Sequence, residues 1–180
     1  ASGTTDPDLS NNVGVLVTAI PDTMPPLLHV PAGLIVEATS MAGARVTYMV
    51  TATDQTDRDI APSCTPQSSA MFGLGRTTVH CTATDAAGNV AHASFDVRVL
   101  DTTAPVLQAP PLLTVEATGP LTAFSLETPV VTDAGDPSPV VTVSLTGPFA
   151  LGTYSIVWTV VDASGNTAHA SQTLRVVDTT

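Results

Sequence analysis

The sequence contains no lysine, and only 12% of its 180 residues are charged. Its five basic residues are Arg45, Arg58, Arg76, Arg98 and Arg175, set against 16 acidic ones, so the formal charge is −11. A phosphate backbone is held by a cationic surface, so this balance excludes nucleic acid as a partner. It is compatible with divalent cations, although excess acid also keeps an exposed protein soluble without any ligand. There is one tryptophan, with two tyrosines and four phenylalanines. These form no exposed aromatic stripe for sugar binding. No run approaches the ~18–20 apolar residues of a membrane span, so no membrane insertion is expected within these residues. No stretch sustains a helical period, and without a helix there is no glycine-rich phosphate loop to open one. The two cysteines, Cys64 and Cys81, have neither a CxxC partner nor a histidine at metal-ligand spacing, which excludes zinc and redox chemistry.

What is present is threonine, valine, alanine and proline in alternating patterns broken by turn residues, with 43% hydrophobic content. That pattern reads as all-β. One phrase punctuates it. Asp101-Thr102-Thr103-Ala104-Pro105 stands mid-chain, Asp22-Thr23-Met24-Pro25-Pro26 resembles it, and Asp178-Thr179-Thr180 begins it again. The intervals are 79 and 77 residues, and recurrence at domain-sized intervals marks a tandem array. The expected organisation is an orphan segment over 1–21, a first repeat over 22–100 and a second over 101–180. Residues 178–180 would open the next linker. Pro105 holds the residue before it extended, so this linker is stiffer than a Gly/Ser one.

Residues 13–20 alternate as a single strand. A lone strand can neither bury its faces nor pair its backbone, so it must complete another sheet. Either it closes an upstream domain, or it is a donor strand, led by Val13, Val15 and Val17, that pairs with the sheet edge of a neighbouring molecule.

Within the first repeat, strands are expected over 34–38, 45–53, 60–66, 76–84 and 90–100, with a hairpin turn at Asp85-Ala86-Ala87-Gly88-Asn89. The second repeat copies its phrases. Val115-Glu116-Ala117 follows Val36-Glu37-Ala38, Thr132-Asp133 follows Thr53-Asp54, and Asp162-Ala163-Ser164-Gly165-Asn166 follows the hairpin turn. The offset drops from 79 to 77, which places a two-residue loss opposite residues 58–63. Phe124 and Leu126 run one residue out of phase with Val46 and Tyr48, so a bulge is expected near Pro129. Short strands and regular turns point to two tandem immunoglobulin-like β-sandwiches.

Repeats this small bury only about 60% of their unfolded surface and need staples. A Cys64–Cys81 disulfide closing about 18 residues stabilises by roughly 3 kcal/mol and belongs to an oxidising compartment. At an offset of 77 the cysteines become Val141 and Trp158, so Trp158 is expected as a core anchor rather than a stacking platform.

The run Ser63-Cys64-Thr65-Pro66-Gln67-Ser68, followed by Phe72-Gly73-Leu74-Gly75-Arg76-Thr77-Thr78-Val79-His80-Cys81-Thr82-Ala83-Thr84-Asp85-Ala86-Ala87-Gly88-Asn89, resembles the signature of the hyalin repeat. The second repeat is similar from Leu151 to Asn166 but lacks both cysteines. The resemblance implies an extracellular immunoglobulin-like module of stalks and adhesion proteins with no catalysis of its own. It carries no ligand residue set.

No enzyme activity is expected. None of His29, His80, His92 and His169 shares a phrase with a nucleophile and a carboxylate. The acidic residues are the candidate site. In a sandwich of this kind Asp101 should approach Asp133, Asp136 and Asp162 of the following repeat, with Glu37 reaching the joint from the preceding one and the carbonyls of Thr102 and Thr103 nearby. The equivalent set is Asp22, Asp54, Asp57, Asp59 and Asp85. Calcium takes 6–8 oxygens of this kind, and converging carboxylates repel one another without a cation. The plainer reading is that each is a turn-forming aspartate.

The leading expectation is a structural or adhesive module at the cell surface, a spacer or display stalk. Its partners would be neighbouring repeats, identical subunits and a surface partner of unspecified chemistry, since each link of an array contacts mainly its neighbours. The alternatives are a filament subunit joined through residues 13–20, and a carbohydrate- or protein-binding accessory module.

Overall fold

A computed structural model describes residues 20–180. The donor-strand reading, with Val13, Val15 and Val17, falls outside those residues. Among them every element is a strand. The first half carries β1 (Leu27–His29), β2 (Leu34–Glu37), β3 (Ala44–Val46), β4 (Thr51–Thr53), β5 (Ser63–Thr65), β6 (Ala70–Phe72), β7 (Gly75–Thr84) and β8 (Val90–Leu100). The second carries β9 (Val106–Gln108), β10 (Leu113–Glu116), β11 (Val130–Thr132), β12 (Val140–Val143), β13 (Gly152–Val161) and β14 (Thr167–Val177).

Each half has a four-stranded sheet of the same order, β2-β8-β7-β5 and β10-β14-β13-β12. In both, the first strand of the order runs parallel to its long neighbour, and the others are antiparallel. The facing layer of the first half is the pairs β1-β4 and β3-β6. In the second it is β9-β11, with a single bridge from Thr122 to Phe149 where β3 and β6 would pair.

The strands form because their apolar residues alternate. In β7, Val79, Cys81 and Ala83 point into the core while Thr78, His80 and Thr82 face solvent. The hairpin turn is built by its own side chains: Asp85 Oδ1 accepts the Asn89 N–H at 2.7 Å, and Gly88 supplies φ = +92°. Gly43 has a different reason. A Cβ there would lie 1.9 Å from the Phe72 carbonyl oxygen, so the turn into β3 closes onto β6 only with glycine.

Each half has its own core. The first joins Val79, Cys81, Phe95, Val97 and Val99 from the large sheet to Ala44, Val46 and Phe72 from the facing layer, with Tyr48 edge-on to Phe95 at 5.0 Å. The second gathers Phe149, Ile156, Trp158, Leu174 and Val176, where Phe149 stacks on Phe124 at 5.3 Å and meets Tyr154 edge-on at 5.1 Å.

The staples sit at matching places. Cys64 and Cys81 are directly opposite one another on β5 and β7 and form a disulfide. In the second half Trp158 is 4% exposed, and its indole N–H donates to Gln172 Oε1 at 3.2 Å. Gln172, itself 3% exposed, donates in turn to the Pro111 carbonyl at 3.0 Å. The register corrects one inference from sequence counting. The residue opposite Trp158 is Val143, whereas Val141 faces Val160. Val143 therefore takes the place of Cys64, and the two-residue loss lies after β12, between Val143 and Phe149, rather than opposite residues 58–63. The phase shift at Phe124 and Leu126 is present too. Both are half-buried, and alternation breaks at the consecutive exposed residues Glu127 and Thr128, next to Pro129.

Candidate functional site

The site is the stretch between the halves and the loops that close on it. β2 runs parallel beside β8, so Glu37 at the end of β2 stands opposite Leu100 at the end of β8, and the chain beyond Leu100 passes in front of its carboxylate. Glu37 Oε1 accepts the Thr102 N–H at 2.8 Å and the Thr103 hydroxyl at 2.8 Å, while Oε2 accepts the Thr102 hydroxyl at 2.7 Å. The arrangement recurs at the far end, where Glu116 accepts the Thr179 N–H at 2.7 Å and its hydroxyl at 2.9 Å.

On the other side of the linker, the Asp162 turn presents Ser164 and Asn166. The Ser164 hydroxyl donates to Asp101 Oδ2 at 3.1 Å, and the Asn166 amide donates to the Asp101 carbonyl at 3.2 Å. Asp101, Asp133 and Asp162 each bring a carboxylate oxygen to within 4.8 Å of the others. Asp133 Oδ1 accepts the N–H groups of Gly135 and Asp136 at 2.8 and 2.7 Å. Asp162 accepts from Ser164 and Asn166 backbone N–H groups and from the Asn166 amide. Burial pushes the Asp162 carboxyl up, but the Asn166, Ser164 and Gly165 donors outweigh it and hold it below the ordinary aspartate range.

Asp136 is directed elsewhere, to the Ala163 N–H at 2.8 Å. Glu37 is likewise outside the carboxylate group and is committed to the two threonines. At the first joint the grouped residues are Asp22, Asp54 and Asp57. Asp59 is exposed there, and the 7%-exposed Asp85 builds its own turn. The third carboxylate differs between the joints, Asp57 at the first and Asp162 at the second, and so does the residue between the two loop aspartates. Thr56 places its hydroxyl 2.5 Å from Asp22 Oδ2 and 2.9 Å from Asp54 Oδ1. In the second half its counterpart is Gly135, where a Cβ would fall 2.2 Å from Asp101 Oδ2. Glycine lets the Asp101 carboxylate seat directly on the loop and leaves no side-chain donor between it and Asp133.

Sequence reasoning passed over the threonines and the turn asparagines. Their signal was visible as Asp-Thr-Thr recurring at Asp101 and Asp178 and as asparagine closing both five-residue turns. Among the histidines, His29 bonds the Thr53 hydroxyl at 3.0 Å and His169 the Thr159 hydroxyl at 2.9 Å.

Residues 21–99 match the HYR domain. The chain is 34% identical over 170 residues to hyalin of Lytechinus variegatus, covering 87% of this chain and 32% of that protein. It is 32% identical over 178 residues to hyalin of Strongylocentrotus purpuratus, covering 92% of this chain and 15% of that protein. These matches support a hyalin repeat, in a chain that is extracellular or at the cell surface. The chain spans about a third or less of either hyalin. Among solved structures, human protocadherin-24 EC1-2 aligns at 16% identity and TM-score 0.40 over 88% of this chain and all of that one. Drosophila N-cadherin EC1-4 aligns at 14% and 0.41 over 86% and 50%. At those scores the likeness says nothing about function.

The Glu37 carboxyl is held below its ordinary value, first by the Thr102 N–H, then by the Thr102 and Thr103 hydroxyls. A depressed folded value means the stabilising contribution is complete above the ordinary glutamate value of 4.5 and is lost as pH falls through the lower folded one. The Thr102 amide resonance should therefore hold its shift down to about that ordinary value and move only in stronger acid. In Glu37→Gln it should not titrate there at all.

Proposed function

We propose that the chain is a spacer segment of an extracellular adhesion-type protein, in which residues 22–100 and 101–180 are successive hyalin-type repeats and calcium closes the joint between them. The second repeat is read from its sheet order, which equals that of the matched half, and from Trp158 and Val143 standing where the first has its disulfide. Its partners are neighbouring repeats or identical subunits. Among the described residues no helix is long and apolar enough to cross a membrane.

The observation that carries the reading is the meeting of Asp101, from the linker, with Asp133 and Asp162, from two loops of the following half. The set fits a hard cation. It offers oxygens only, and Asp101 Oδ1 and Asp133 Oδ2 have no hydrogen-bond donor among the described residues. These three residues would hold calcium, and the ion would neutralise like charges that otherwise repel. The chain's own part is to bring them together: the Gly135 and Asp136 N–H groups orient Asp133, and the Asn166 amide anchors the linker carbonyl.

Calcium at a hundredfold excess over its dissociation constant should raise the stability of the second half by about 2.7 kcal/mol relative to chelator. Thermal unfolding with calcium and with EDTA measures this, and Asp133→Asn should abolish the difference. An unchanged midpoint in the unmodified chain would refute the calcium part of the reading.

A further inference from the structure

The attachments of the linker are crossed. Leu100 closes β8, its carbonyl accepting the Ala38 N–H at 2.7 Å. The next residue, Asp101, is nearest the first half in sequence yet is held by the second, through Ser164 at 3.1 Å and Asn166 at 3.2 Å. Thr102 and Thr103 follow it toward the second half yet are held by the first, through three bonds to Glu37 of 2.7–2.8 Å. No linker residue lies between the two grips, because each grip sits on the far side of the other. A hinge needs at least one residue whose backbone torsions can change without breaking contacts, and here every residue from 100 to 103 is bonded to one half or the other. Pro105 then removes torsional freedom at the next step, since its ring fixes its own φ and restricts Ala104 to extended geometry.

We propose that this interleaved latch fixes the orientation of the two halves relative to each other without any bound cation. Independent domain motion is the ordinary expectation for halves joined by a short linker and a small interface. The latch replaces it with a choice between an intact joint and a broken one. The inference goes beyond the calcium reading and does not depend on it, because none of the Glu37, Asn166 and Ser164 bonds uses a metal. The far end supplies a matched comparison. Glu116 grips Thr179 as Glu37 grips Thr102, but Asp178 there accepts from Thr180, two residues along, so this is a half latch that joins no pair of described halves.

The test is NMR alignment of the full chain in EDTA, comparing the tensors reported by the two halves. The unmodified chain and Glu116→Ala should each give one shared tensor. In Glu37→Ala the two halves should report tensors of unequal magnitude, the sign of independent reorientation. Thr102→Val with Thr103→Val removes the two hydroxyl donors but keeps the backbone one, leaves the charge unchanged, and should give a smaller separation. It serves also if Glu37→Ala does not fold. Separate tensors in the unmodified chain that merge on adding calcium would overturn the latch and assign orientation to the ion. Equal effects of Glu37→Ala and Glu116→Ala, or no separation in either Glu37→Ala or the double threonine variant, would overturn it as well.

Discussion

Trp158→Ala should lower the unfolding midpoint of the second half by roughly 12–40 °C and leave the first half where it was. Removing a buried tryptophan costs about 3–5 kcal/mol in lost transfer and cavity terms, and each kcal/mol moves the midpoint of a domain this size by about 4–8 °C. Trp158 packs with Ile156, Leu174, Val176 and Phe149, the whole of the fully buried set of that core. There is a polar penalty too. Gln172 keeps its bond to the Pro111 carbonyl but loses the indole donor to Oε1, leaving a buried acceptor unpaired. The total approaches the whole stability of a module this small, about 4–12 kcal/mol at 0.05–0.15 kcal/mol per residue. Trp158→Phe with Gln172→Leu should recover most of the loss, since it refills volume and removes both polar partners together. Differential scanning calorimetry of the full chain, in which the two halves report separately, reads all three. An undisturbed second transition in Trp158→Ala would deny the tryptophan its anchoring part.

The mirror experiment is on the first half. Cys64→Val with Cys81→Val should destabilise it by about 3 kcal/mol, because the crosslink no longer restricts the unfolded chain over a loop of sequence separation 17. Valine keeps apolar bulk at both positions, and Val143 already occupies the corresponding place in the second half. The expected fall in midpoint is about 12–24 °C. A reductant should do the same to the unmodified chain and nothing further to the double variant, and the second half should ignore it. The two cores share no residue, so the cysteine and tryptophan effects should add to within about 0.5 kcal/mol. A large coupling between them would mean that the halves unfold as one unit.

The all-β class was readable because alternation is a local property: β7 announces itself in Thr78–His80–Thr82 against Val79–Cys81–Ala83. Register was harder. Cys64 was matched to Val141 by carrying one offset backward from the hairpin turn, but a gap in a loop leaves no mark of which side of a short strand it falls on. Only the pairing of Val143 with Trp158 locates it after β12. Gln172 was passed over for a related reason. It stands at an inward position where the first half has Phe95, and its polarity makes sense only once the indole N–H beside it is known. At the joint, the sequence pointed to carboxylates because charge is conspicuous in a weakly charged chain. The structure groups Asp101, Asp133 and Asp162, sends Asp136 to the Ala163 N–H, and gives Glu37 to Thr102 and Thr103. A glutamate satisfied by neutral donors looks the same in a sequence as one awaiting a cation. The difference lies in which strand runs beside which, and the parallel placement of β2 against β8 was not legible from either strand alone.

That parallel pairing governs how the chain carries tension. When the two ends of the first half are drawn apart, the pull reaches β2 at its beginning, by way of β1, and β8 at its end. Because the two strands point the same way, those directions oppose each other along the strand axis. The ladder from Leu34–Val97 to Glu37–Leu100 is loaded in shear, all its bonds at once, rather than unzipped one by one. β10 and β14 repeat the arrangement, from Leu113–Leu174 to Glu116–Val177. Load leaving β8 passes at once into the residues gripped by Glu37, and only beyond them into β9 and the second ladder.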